Sequence, residues 1–157
     1  MKFILIDRIH EIQPGERISA VKCLSMAEEY LQDHFPRFPV MPGVLMLEAM
    51  TQTGAWLVRA TEEFRYSIVV LKEARNVKYA DFVEPGESLT VRATWLKSEG
   101  RLTTLKVEGE VAGSIAVSSR IVLESSNTSG TDEPNTTDLG AIRKLKQQFN
   151  LLCQVRG

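Results

Sequence analysis

Cysteine is scarce in this sequence: Cys23 and Cys153 are the only two among 157 residues. They lie far apart and neither belongs to a CxxC pair, which excludes a disulfide framework and points to two reduced thiols. Histidine is as rare, with only His10 and His34. No zinc-ligand spacing occurs and no glycine-rich phosphate loop is present, so no metal and no cofactor is expected. An excess of either charge is also missing. Nineteen Lys and Arg against twenty Asp and Glu leave a net charge of -1, too little to build a basic field for nucleic acid or a polybasic face for a membrane. Long apolar runs are lacking as well. Asp7 and Arg8 interrupt MKFILIDRIHEI before it could act as a signal-peptide core, and no stretch is long enough to span a bilayer. These absences predict a cytoplasmic protein whose partner is small, or acidic and met only locally.

What is present suffices for one domain with a tail, since 43% of the residues are hydrophobic. Phe3 to Ile6 and Arg17 to Cys23 read as an antiparallel strand pair around the turn residues Pro14 and Gly15. A helix is predicted from Val44 to about Arg59, with Pro42 in its first turn and so many apolar residues that it belongs in a core. Strands follow over Ser67 to Leu71, Arg75 to Tyr79, Ser88 to Ser98, Arg101 to Ala112 and Ser114 to Glu124. In the third of these, Leu89, Val91, Ala93 and Trp95 alternate toward one face. A long antiparallel sheet with one central helix is an α+β architecture. Residues 1–124 then form the domain. Residues 125–137 (SSNTSGTDEPNTT) read as a flexible polar linker, and residues 138–157 as an amphipathic helix and tail capped near Thr137 and Asp138.

The chemistry concentrates in HFPRFPVMPGVLMLE, residues 34–48. Pro36, Pro39 and Pro42 remove three backbone donors and stiffen the segment, which suits holding the His34 ring against a reacting atom. Gly43 and Val44 stand where loop becomes helix, and their N–H groups are ready donors to an oxygen gaining negative charge. A bare helix start would use the same Pro-Gly pair. Glu48 sits among Leu45, Met46, Leu47, Ala49 and Met50, where burial would raise the pKa of a carboxyl and let it donate a proton. Gln52, one turn further on, would orient it. A glutamate reaching solvent from a partly buried helix is the plainer reading. Taken together, an imidazole base, a carboxylic acid and an oxyanion site suit β-elimination next to a carbonyl.

HFPRFPVMPGVLMLEAMTQ resembles the active-site signature of the β-hydroxyacyl-acyl carrier protein dehydratases of fatty acid synthesis. FILIDRIHEIQPGERISAVK and LKEARNVKYADFVEPGESLTV resemble that family's opening strands and its later Pro-Gly run. The resemblance covers residues 1–124. It implies a hotdog fold, an antiparallel sheet wrapped around one long central helix. It also implies dehydration of 3-hydroxyacyl thioesters, acyl carrier protein-bound or CoA-like, by a homodimer or a trimer of dimers in which the histidine and the acid come from different subunits. By the same resemblance, His34 and Glu48 are catalytic, Gly43 and Val44 bind the thioester oxygen, the Val40 carbonyl holds the His34 ring, and Gln52 holds Glu48. Phe35, Phe38, Met41 and Leu45 would wall an apolar tunnel, with ordinary core packing as the alternative for each; for Trp56, a further candidate, core packing is the preferred reading. Glutamate at position 48, where the isomerising branch has aspartate, points to the simple dehydratase branch. Asp33 and Arg37 stand where that family usually has glycines. They leave room for a non-catalytic module binding an acyl chain or carrier protein; a hotdog thioesterase is a further alternative, against which the presence of both His34 and Glu48 argues.

Overall fold

A computed structural model of the protein describes residues 4–33 and 36–154. Six strands and three helices follow in the order β1 (Arg8–Gln13), β2 (Arg17–Cys23), α1 (Tyr30–Asp33), α2 (Gly43–Thr61), β3 (Ile68–Tyr79), β4 (Ser88–Glu99), β5 (Leu102–Val111), β6 (Ser114–Ser126) and α3 (Thr136–Leu152). The strands form one antiparallel sheet in the order β1-β2-β4-β5-β6-β3. This is a hotdog fold: α2 lies across the sheet and contacts β2 through β6.

Alternation decides which face of the sheet meets the helix. Leu89, Val91 and Ala93 of β4, Leu105 and Val107 of β5, and Ile121 and Leu123 of β6 are wholly buried. They meet the α2 face that carries Met46, Ala49, Met50, Leu57 and Val58. Trp95 continues the β4 alternation but is only half-buried, because a bulge between Trp95 and Lys97 breaks the register there. Gly54 sets how closely α2 can lie. A Cβ at that position would sit 2.8 Å from the Leu105 side chain, so a larger residue would push core side chains aside where the helix backbone lies against the sheet.

Three boundaries differ from the sequence reading. The first strand is Arg8–Gln13 rather than residues 3–6. Ile4 to Ile6 are taken out of the ladder because the Leu5 N–H donates to the Gln52 side chain at 2.9 Å, and sheet bonding starts only where the Asp7 N–H meets the Val21 carbonyl. Phe3 lies outside the described residues. The two short strands expected between Ser67 and Tyr79 are one, β3, whose register shifts between Leu71 and Glu73 and between Arg75 and Lys78. Its charged middle reads as a loop in sequence, yet a sheet edge tolerates such residues well.

The third difference concerns residues 125–137. Ser125 and Ser126 extend β6, and Thr136 and Thr137 open α3, which is capped by Asn135 in a reciprocal box with Asp138. Between them the polar side chains bind the fold. Asn127 is buried, accepts the Ser67 N–H at 2.9 Å and donates to the Thr131 carbonyl at 3.2 Å. Asp138 is fully buried and accepts from the Ser67 hydroxyl at 2.6 Å, the Thr128 N–H at 2.8 Å and the Thr128 hydroxyl at 2.7 Å. With its start so anchored, α3 lays Phe149 against Trp56 and Phe64, at ring-centroid distances of 5.8 Å and 5.4 Å.

Candidate active site

The proline-rich segment reaches α2 along a defined path. Met41 donates its N–H to the Val83 carbonyl at 2.9 Å, and Phe38 packs edge-to-face on Phe82 at 5.8 Å. The segment is thus pinned to the connection between β3 and β4. Asp33 ends α1 and is exposed, as is Arg37. His34 and Phe35 lie outside the described residues. Val40 and Met41 are buried, and Met41 belongs to the main core; Leu45 is half-buried and packs against that core. Phe38 stays exposed.

At the start of α2, Leu45 and Met46 both donate their N–H groups to the Pro42 carbonyl, at 3.0 Å and 3.2 Å. The helix therefore offers no acceptor to the N–H groups of Gly43 and Val44, and among the described residues no side-chain hydrogen bond caps this end. Gly43 has a local reason to be glycine: a Cβ would sit 3.0 Å from the Tyr79 ring, which occupies that space. The Val44 side chain is 71% exposed, and with Tyr79, Phe38 and Phe82, also exposed, it forms an apolar patch around the helix start.

Glu48 is half-buried and held by a relay. The Leu5 N–H donates to Gln52 Oε1 at 2.9 Å, which orients the amide so that Gln52 Nε2 donates to Glu48 Oε1 at 3.1 Å. A carboxyl held in one orientation can meet a substrate hydroxyl without a search over rotamers. It lines a cavity of about 350 Å³ together with Gln52, Trp56, Arg59, Val69 and Leu145. The relay explains the otherwise odd extended segment at residues 4–7, which supplies the backbone donor that aims the amide.

The expected tunnel residues and the observed cavity overlap little. Trp56, buried and beneath the Arg59 guanidinium, lines the Glu48 cavity, whereas Phe38, Met41 and Leu45 do not. Among the lining residues, Arg59, Val69 and Leu145 went unnoticed as site residues in the sequence. One signal was available: Glu48, Gln52, Ala55 and Arg59 recur at i, i+4, i+7 and i+11, a single stripe along one helix face. Val69 and Leu145 come from β3 and α3, and only the fold brings them near.

Residues 1–120 match the model of the FabA-like domain. The chain is 40% identical over 114 residues to a 3-hydroxyacyl-[acyl-carrier-protein] dehydratase FabZ of Oceanobacillus iheyensis, covering 70% of this chain and 81% of that protein. It is 36% identical over 119 residues to the FabZ of Ruminiclostridium cellulolyticum, covering 76% and 84%. Among solved structures, the dehydratase heterocomplex ApeI:P from Xenorhabdus doucetiae superposes with a TM-score of 0.65 at 17% identity, covering 89% of each chain. An uncharacterized protein from Pyrococcus horikoshii, PH1136, superposes at 0.60 and 14% identity, covering 80% and 86%. The structural likenesses carry the fold, while the family match over residues 1–120 runs through the helix that holds Glu48 and Gln52 and stops short of α3. On that match the chain belongs to the FabA-like domain family.

Proposed function

We propose that this protein dehydrates 3-hydroxyacyl thioesters carried on acyl carrier protein, releasing water and leaving a trans-2-enoyl thioester. The observation that carries the reading is the Leu5–Gln52–Glu48 relay, which holds one carboxyl at the wall of a cavity, little more than one helical turn from the helix start at Gly43 and Val44. His34 takes a proton from C2, and the electron pair moves toward the thioester carbonyl, whose oxygen the Gly43 and Val44 N–H groups stabilise. As the C2–C3 double bond forms, the C3–O bond breaks and Glu48 protonates the departing hydroxyl, so that water leaves. The proton on His34 then returns to Glu48 through solvent, and no electron is gained or lost overall. The sequence similarity to proteins named 3-hydroxyacyl-[acyl-carrier-protein] dehydratase, over four-fifths of their length, supports this choice of substrate.

The working unit is a homodimer in the cytoplasm, with His34 of one protomer facing Glu48 of the partner subunit. Two features support an interface on this side. β3 is a 12-residue edge strand whose only ladder partner among the described residues is β6. The patch around Val44, Tyr79 and Phe82 is the kind of exposed apolar surface that marks an interaction site. The two free cysteines suit a reducing compartment. Incubating the protein with a 3-hydroxyacyl-acyl carrier protein and following enoyl absorbance tests the reaction. Water loss that disappears in His34→Ala and Glu48→Gln is expected; release of free thiol, or binding without turnover, would replace the dehydratase reading with a thioesterase or a carrier module.

A further inference from the structure

The Glu48 cavity has a second charged residue that the dehydration chemistry does not use. Arg59 lines the same cavity, half-buried, with its guanidinium carbon 4.8 Å from the centre of the Trp56 ring. Its Nε is buried without a hydrogen-bond partner, and among the described residues no carboxylate forms an ion pair with it. Burial alone pulls its pKa down to about 10, with no neighbouring anion to hold it up. A guanidinium taken out of water without a counter-charge is costly. Among the described residues, the arginines that do form ion pairs sit at the surface, with side chains well exposed. Arg59 therefore differs in both burial and pairing.

Its place along α2 gives the missing anion an address. Glu48 and Arg59 are eleven residues apart on one face, about 16 Å at roughly 1.5 Å of rise per residue. Ala55, Trp56 and Leu145 give the wall between them an apolar side, next to the polar Thr51 and Gln52. A thioester whose C3 hydroxyl meets Glu48 would run its acyl chain along this stripe and deliver its far end to Arg59. A methyl end would leave the guanidinium unpaired. A carboxylate end would match the planar fork, which Trp56 holds in place from one face.

We propose that Arg59 binds the terminal carboxylate of the acyl chain, making 3-hydroxyacyl thioesters that bear a distal carboxyl group the preferred substrates. This inference rests on the dehydratase reading for the placement of the C3 hydroxyl. Three turns of helix between the two groups fit a chain of medium length, and α3 supplies Leu145 and Gln148 to the cavity. The part of the cavity wall that α3 supplies lies beyond the matched residues 1–120.

The test compares 3-hydroxyacyl thioesters of matched length ending in methyl or in carboxylate, over a series of chain lengths. With the native protein, kcat/KM is expected to favour the carboxylate by about tenfold or more at one length, as a site built to pair a polar group discriminates against its absence. In Arg59→Met that ratio is expected to collapse, and in Arg59→Lys to fall between. Turnover of both ends without discrimination in the native protein would overturn the inference and leave dehydration standing. So would an Arg59 saturated by a carboxylate of a second protomer, seen as equal ratios in native protein and variant. If neither thioester loses water, the dehydratase reading fails, and binding of a free α,ω-dicarboxylic acid, followed by tryptophan fluorescence, decides the rest. Binding lost in Arg59→Met supports the carboxylate site, and no binding to the native protein overturns it.

Discussion

Two charged side chains of opposite sign, one fully buried and one half-buried, divide this molecule into a part that is finished and a part that waits. Asp138, under the start of α3, receives hydrogen bonds from Ser67, Thr128, Ser129 and Asn135. Burial pushes its carboxyl upward, but those donors outweigh it and hold the group well below the usual carboxylate range. Arg59, on the outer face of α2, has an aromatic ring beneath it and no hydrogen bond at Nε. Asp138 is fully buried and Arg59 half-buried, yet only the first has every partner it needs within its own chain. Burial alone does not distinguish a structural charge from a functional one; the difference is whether the fold itself supplies the counter-groups.

The largest effect expected on the waiting side is on chemistry. Glu48→Gln keeps the shape and the contact with Gln52 but removes the transferable proton, and should lower the rate of water loss by about 100- to 10,000-fold with the melting temperature almost unchanged. A steady-state assay beside a thermal melt checks both halves. On the finished side, Leu57→Ala sets the scale for losing packing under α2. Leu57 is wholly buried against the sheet, and urea unfolding should show a loss of about 2–5 kcal/mol.

Asp138→Asn sharpens the contrast through pH. Because the folded carboxyl titrates below its unfolded value of about 3.9, the unfolded chain binds protons first on acidification. The stability Asp138 contributes is complete above that value and is lost as pH falls through the folded one. Urea midpoints measured from pH 7 down to pH 2 should therefore fall more steeply in the native protein than in the variant, which starts lower. Arg59→Met should give the smallest change and the opposite sign. Removing an unpartnered buried charge should leave unfolding stability equal to the native value or higher by about 1 kcal/mol, in the same urea experiment. A substantial loss there would mean that Arg59 has structural work and would erase the comparison.

Where the chain signals its own structure, it does so through period and turn chemistry. Leu89, Val91 and Ala93 alternate and are buried, and Pro14-Gly15 turns β1 into β2 with Gly15 at φ 78°. The stretch from residue 34 to 52 is legible because its residue types are unusual together, and the Gln52–Glu48 contact follows from helical spacing. β1 is harder to see because RIHEIQ carries charge at a sheet edge, so hydrophobic period underestimates it. The loop at 127–135 reads as unstructured from composition alone. Its order comes from one buried carboxylate, Asp138, that gathers donors distant in sequence, Ser67 among them. Arg59 shows the same limit from the other side: its position on the Glu48 stripe is readable, whereas its lack of a partner is visible only once β3 and α3 are in place around it.

The central claim is that one catalytic unit draws its base and its acid from two protomers. Mixing the His34→Ala and Glu48→Gln chains under conditions that exchange subunits tests it most directly, since each mixed dimer would then contain one site with both groups intact. Activity well above the sum of the two separate variants is the expected result, rising with the fraction of mixed dimer. A mixture no more active than that sum, with subunit exchange verified, would contradict it.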